Sequence, residues 1–327
     1  MSRPRKSTVR EFGFELSLCA HLERTREAVV SRQLGAGVTG RRVLDTVLVA
    51  PGPSFQERAA ITAETIPPAA IESDAGPGRA RRRGDAFECG PERARAVVDR
   101  AVDVGFFERE RRDGHTYVRQ TARYPGDWFG DIVGIENKPD LDRPGALETQ
   151  LLTDVHLALL DRVVLATATH VTGAHLNRIP EAVGVWEFDP ETDEREVVRE
   201  PRQLPVDEYG VEIRERRPAR AAIEIVAPEE KARTRRRLAE RAYSKGWRTY
   251  DLPACARIDP DEGLPRCPWK GRIVRPATDC GPACAGHEPA DPPALDRERL
   301  RASRTPWDPD PAGRQRRQSG LDRYTGQ

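Results

Sequence analysis

Glu136 and Lys138 stand either side of Asn137 at the end of the run GDIVGIENKP. Read as a strand over 131–138, this run places residues i and i+2 on one face, roughly 6.6 Å apart along the chain. A carboxylate and an ammonium are thereby held side by side. Pro139 stops ladder pairing and leaves the pair at a strand terminus, where sites tend to be open. The chain has five lysines against forty-nine arginines. Lysine acts as a point charge and can shift its pKa, which arginine cannot do, so a lysine here invites a chemical reason. Taken alone, an E-x-K pair is better read as a strand-end ion pair on a solvated rim, worth little.

Three further polar residues stand out by their surroundings. Asp45 is a single carboxylate in a strand expected over 40–51, otherwise Val, Leu and Thr. Aspartate is a poor strand former and its charge is costly to bury. Glu15 falls inside FGFELSLCAHLE, in a helix expected over 7–33 that Ser7 or Thr8 caps with Glu11 as the capping-box partner. Among Phe14, Leu16 and Leu18 it needs a partner if buried; on a helix edge it would face solvent. Gln150 pairs with Asp154 at i, i+4 on one flank of a helix over 145–160. Asp131 is a rival acid to Asp45, but it lies five residues before Glu136. In a regular strand that is the opposite face and roughly 16 Å away.

The elements that must hold these residues alternate between helix and strand. Strands are expected at 162–169, 183–188 and 221–226, and helices at 174–180 and 229–245, with 189–208 a charged loop. Residues 55–90 read as a linker with a short helix near 57–64 and a basic run at 79–83. Residues 91–120 read as helix, Gly-Phe-Phe, strand, Asp113-Gly114 turn, strand, a winged-helix-like shape. The order is that of an α/β fold.

Composition bounds the rest. The 327 residues carry a formal net charge of +1, so no global charge argues for nucleic acid or membrane. Hydrophobic residues are 37% and charged residues 33%, with 28 Pro and 26 Gly. That balance suggests a globular core with polar, partly disordered additions. No apolar run of about 18 residues predicts a membrane span, and the basic N-terminus lacks the apolar stretch of a signal peptide. The cytoplasm is the expected compartment, where six cysteines read better as thiols or metal ligands than as disulfides.

A helix with Glu15, a strand with Asp45, a strand ending Glu136-Asn137-Lys138, a helix with Gln150 and the strand at 162–169 together resemble the PD-(D/E)XK nuclease superfamily. The likeness is to its RecB-like branch, which includes uncharacterised archaeal relatives, and it covers roughly 8–188. It implies a restriction-endonuclease-like αβββαβ core with a mixed sheet, at 1–54 and 126–250. The winged-helix-like insertion lies within 55–125, a Cys-rich extension at 251–290 and a disordered tail at 291–327. The gap between Asp45 and Glu136 is longer than the family's, which the insertion explains. The implied reaction is Mg²⁺- or Mn²⁺-dependent hydrolysis of DNA, in repair or defence. Asp45 and Glu136 would hold the ion. Lys138 would orient water or offset phosphate charge, Glu15 would hold a second ion or its water shell, and Gln150 would touch substrate or Lys138. DNA is the expected partner, with no membrane. The alternative is a non-catalytic nucleic-acid-binding or regulatory protein that uses the winged-helix-like segment.

Cys255, Cys267, Cys280 and Cys284 form a second constellation, spaced C-x11-C-x12-C-x3-C with His287 behind. Four thiols suit structural Zn²⁺ or a [4Fe–4S] cluster, and the spacing is diagnostic of neither. In RecB-like nucleases an iron–sulfur cluster staples the C-terminus to the core, often with a cysteine near the first helix, for which Cys19 is the candidate.

Overall fold

The computed structural model describes residues 11–36, 42–142, 146–217 and 220–313. Contacts group the chain into two compact units. One holds the chain up to Val49 and again Asp131–Thr305; the other holds Ala50–Gly130 and the chain from Pro306 onward.

The first unit is a mixed α/β structure. Its sheet-forming elements are helix α1 (Glu11–Thr25), strands β1 (Val29–Gly35), β2 (Val43–Pro51) and β3 (Phe129–Asn137), helix α2 (Leu147–Leu157), and strands β4 (Arg162–Thr167), β5 (Gly184–Asp189) and β6 (Glu194–Arg199). The six strands form one sheet in the order β1-β2-β3-β4-β5-β6. β1 and β2 are antiparallel, β3, β4 and β5 run parallel, and β6 returns antiparallel. The apolar runs of β3 and β4 suit a parallel sheet buried on both faces, with Ile132, Ile135, Val164 and Leu165 wholly inside.

Helix α1 is buried along ten consecutive residues, Phe14 to Glu23. Its apolar side chains pack with Leu48, Ile135, Val164 and Phe188 of the sheet and with Trp247, Leu264 and Ile273 of the C-terminal half. A helix covered on all sides has no polar face, so its charged residues must find partners inside. After β6, the hairpin β7 (Gly210–Arg217) and β8 (Arg220–Val226) leads to the basic helix α3 (Pro228–Lys245). Arg241 and Lys245 of α3 donate to the carbonyls of Gly35 and Gln33 on β1, occupying acceptors that a sheet edge otherwise leaves open.

The second unit carries helix 91–103 and a three-stranded sheet ordered 81–82, 115–120, 107–112. Its core includes Ile66, Val98, Phe106, Phe107 and Val118. Asp113 (φ 48°) and Gly114 (φ 76°) close the hairpin as the sequence predicts, since this tight turn needs positive φ at both centres.

Four expectations are corrected. The first helix does not run to residue 33: it ends at Thr25, and Val29-Val30 begin a strand because β-branched residues pack better on a pleated surface. Its caps, Ser7 and Thr8, lie outside the described residues. The charged loop 189–208 contains β6, whose charge-rich EREVVR is tolerated because it is an edge strand. The linker 55–90 holds helices at 55–59, 68–71 and 83–86 and the short strand 81–82. The expected disorder from 291 gives way to a helix at 297–302, capped by Asp296. Arg301 of that helix is buried and donates to the Ala242, Tyr243 and Ser244 carbonyls at the end of α3. A cation at a helix C-terminus satisfies carbonyls that have no intrahelical partner.

Candidate active site

The site lies where β1, β2 and β3 meet α1 and α2. Asp45 is half-buried near the start of β2, and its Oδ2 accepts from the Asn137 backbone N–H at 2.9 Å. That bond spans 92 positions of sequence and sets the β2 acid beside Glu136 and Lys138. The Asn137 side chain points elsewhere and donates to Thr46 Oγ1 at 3.0 Å. Thr46 also lies 3.6 Å from Cys19 Sγ on α1. Cys19 is thus a core thiol, pushed up to about 12 by burial and then by Glu15.

Glu15 is buried, as its apolar neighbours require, and it is partnered. Arg32 binds both of its oxygens, from Nε at 2.9 Å and Nη2 at 3.1 Å. Gln33 Nε2 donates to Glu15 Oε1 at 3.0 Å and to Asp45 Oδ1 at 3.3 Å, linking the helix acid to the strand acid. Gln33 has φ 52°, the left-handed region that side chains other than glycine seldom adopt. Its strand neighbours Arg32 and Leu34 keep regular register with Thr46 and Leu44, so the distortion is confined to the residue that bridges the two acids.

Two residues outside the candidate site residues read from the sequence complete the arrangement. Arg42 precedes β2, and its Nη2 donates to Glu136 Oε2 at 2.8 Å and to Asp154 Oδ2 at 2.7 Å, while Nε reaches Asp154 Oδ1 at 2.9 Å. Asp154 was visible only as the flank partner of Gln150; it is buried on α2 and tied to Arg42. Gln150 itself is half-buried one turn earlier, and its side chain makes no hydrogen bond among the described residues. The Lys138 ammonium pairs with no carboxylate among them either. Asp131, the rival acid, pairs with Arg162.

Electrostatics separate the groups. Burial works against the Arg42 charge, yet Asp154 and Glu136 outweigh it and hold its pKa above the ordinary range. Burial, then Asp45, raises Glu136 from 4.5 to about 7 despite Arg42. Burial also raises Asp45, with Glu15 adding to the effect against the Asn137 hydrogen bond. Among the described residues no three His, Cys, Asp or Glu side chains are grouped so that they could hold a metal ion. A cation here would take two carboxylates and draw its other ligands from backbone, water or phosphate.

The Glu136 shift has a stability consequence. The folded carboxyl holds its proton more tightly than the unfolded one, so its contribution is full below pH 4.5 and is lost as pH rises through about 7. The difference is on the order of 3 kcal/mol. Metal-free protein should therefore lose stability relative to Glu136→Gln across that window in chemical denaturation. Parallel profiles for the two proteins would contradict the shift.

The chain belongs to a family of unknown function, DUF5787, whose model matches residues 29–289. No curated protein and no solved structure matches it.

Proposed function

We propose that this protein is a divalent-metal-dependent DNA nuclease with a PD-(D/E)XK core. The observation that carries the reading is the bond from the Asn137 N–H to Asp45, which joins the strand acid to the Glu136-x-Lys138 pair. The element order α1-β1-β2-β3-α2-β4 supports it, since it is the αβββαβ order that the resemblance implies. The donor set fits Mg²⁺ or Mn²⁺: hard carboxylate oxygens from Asp45 and Glu136, crowded enough that one raises the pKa of the other. Crowded like charges are what a dication relieves. When bound, the ion would polarise the scissile phosphate and lower the pKa of an attacking water.

The chain's own residues supply the rest. Lys138, which pairs with no carboxylate among the described residues, offsets charge developing on a phosphate. Gln33 and the Asn137 N–H fix the Asp45 carboxylate from two directions, so its orientation does not wait on substrate. Arg42, itself tied to Asp154, holds Glu136. The second unit supports DNA as the polymer: helix 91–103 followed by a hairpin, with the 81–82 strand added to the hairpin, has winged-helix-like order.

Arg42 favours the competing reading, a nucleic-acid-binding or regulatory protein, because its guanidinium already neutralises Glu136. Incubating the purified full chain with linear single- and double-stranded DNA and Mg²⁺ or Mn²⁺ decides between them. Cleavage that chelator stops and that Lys138→Ala reduces at least ~100-fold is expected. Salt-sensitive binding without cleavage, or cleavage unchanged in Lys138→Ala, would overturn the nuclease reading.

A further inference from the structure

We infer that helix α3 carries a track for the phosphates of a single nucleic-acid strand, formed by Arg233, Arg237, Arg241 and Lys245 and ending beside the carboxylate site. What the strand meets at the end of the track rests on the nuclease reading; the track itself needs neither metal nor cleavage. The four cations recur at every fourth position of α3, and all four are exposed. Residues i and i+4 stand one above the other on a helix face. At 1.5 Å per residue the row runs roughly 18 Å in steps of about 6 Å. The side of α3 turned into the protein holds Leu238, Ala239, Ala242 and Tyr243. Arg235, off the row, is half-buried and spends its guanidinium on the Leu159 carbonyl and Asp161.

Helix stability does not explain the row. The helix dipole favours Lys245 in the last turn, but Arg233 and Arg237 stand two or more turns earlier, beyond its reach. Like charges at i, i+4 repel and weaken a helix. These cations feel one another. Partial burial, then Arg237, holds the Arg241 pKa below its ordinary value. Partial burial, then Arg32 and Arg241, does the same at Lys245, against Glu15. A chain of anions laid along the row relieves that repulsion.

The row leads to the acids. Lys245 Nζ donates to the Gln33 carbonyl at 2.7 Å, and Arg241 donates to the Gly35 carbonyl. An ammonium has three donors, so the Gln33 bond leaves Lys245 able to meet a phosphate as well. The Gln33 side chain donates to both Glu15 and Asp45. The last cation of the row is therefore bonded to the residue that bridges the two acids, and a strand lying along α3 is delivered to them. Regular spacing selects the occupant. Phosphates recur once per nucleotide along a backbone, whereas the carboxylates of an acidic peptide keep no such repeat. A straight line of cations follows a strand that can be drawn out; in a B-form duplex each strand advances about 3.4 Å per phosphate along the axis and winds away. Cationic grooves that track the backbone in this way are how single strands are held without sequence preference.

The test measures binding of the full chain, held in EDTA, to a fluorescein-labelled oligo-dT of about 12 nucleotides. Anisotropy titrations at salt concentrations between about 50 and 200 mM give the slope of log K against log[salt]. Each phosphate contact on a single strand contributes about 0.7 to that slope, so Arg233→Gln/Arg237→Gln should flatten it by about 1.4. Both positions are exposed and glutamine is a good helix former, so the fold is kept. Arg233→Lys/Arg237→Lys should restore the wild-type slope, because the slope counts charges. Arg202→Gln, which alters an exposed arginine paired with Glu181 on the chain after β6, should leave it unchanged. A flattened slope in a protein that never cleaves DNA would keep the track and remove the nuclease reading. Cleavage with an unchanged slope in the glutamine variant would do the reverse. No binding of the oligonucleotide, equal flattening with a duplex of the same length, or poly-glutamate competing as well as unlabelled oligonucleotide would each overturn the inference.

Discussion

Asp45→Asn and Glu136→Gln are each expected to lower metal-dependent DNA cleavage on the order of 10³-fold, and the double substitution to lower it no further. The two carboxylates stand on β2 and β3, and Asp45 accepts from the backbone amide of Asn137, the residue next to Glu136. If they hold one ion, removing either removes the ion, and the second loss has nothing left to subtract. Asparagine keeps an oxygen to accept from the Asn137 N–H, so the β2–β3 junction survives while the charge goes. Glutamine likewise keeps an acceptor for Arg42. Multiplying losses in the double variant, measured by single-turnover cleavage, would mean that the acids act separately and that the shared-ion arrangement is wrong.

The largest effect on stability is expected far from the β2–β3 acids, at Glu23. Its carboxylate is 2% exposed on α1, and both oxygens are used. Oε1 accepts from Trp247 Nε1 at 3.0 Å and Arg248 Nη1 at 2.9 Å, and Oε2 accepts from Arg248 Nη2 at 2.6 Å. Arg248 is 8% exposed, stacks over Trp247 at 4.0 Å, and also donates to the Glu262 carbonyl. Glu23→Ala leaves that guanidinium inside without its counter-charge. Removing one member of a buried pair costs about 3–5 kcal/mol, most of it the stranded partner. Because the pair ties α1 to the chain after α3, the loss should appear as a lowered urea midpoint with little change in slope. A change under about 1 kcal/mol would show that water reaches Arg248 and that the pair is not sealed.

The sequence displayed the acids and hid what surrounds them. Asp45 and Glu15 were legible because each is a charge in an apolar run, and burial there demands a partner or a purpose. The Glu136-x-Lys138 pair was legible from strand period and the scarcity of lysine. Arg42 was not: it is one of forty-nine arginines, and nothing local distinguishes the one that a fold turns inward. Asp154 was read as a flank residue because helix period gives a face but not what lies opposite it. β1 was absorbed into the first helix because Val29 follows a polar stretch, ERTRE, that suits a helix end as well as a loop. The edge strand β6 was missed because its charges, which keep an edge from pairing with other chains, also erase the apolar alternation that marks a strand. The ordered helix at 297–302 depends on the buried Arg301 meeting α3's last carbonyls, a contact between residues nearly sixty positions apart. Such long-range pairings have no local signature, and they decide which charges are structural and which are free to act.

The central claim is that Asp45 and Glu136 share one divalent ion while Arg42 yields part of its hold on Glu136. Anomalous scattering from a crystal of the full chain soaked in Mn²⁺ tests it most directly. The predicted result is one strong peak within bonding distance of carboxylate oxygens of both residues, absent from crystals of Asp45→Asn. A peak touching neither residue, or Mn²⁺ bound elsewhere while Arg42 keeps both Glu136 and Asp154, would contradict it.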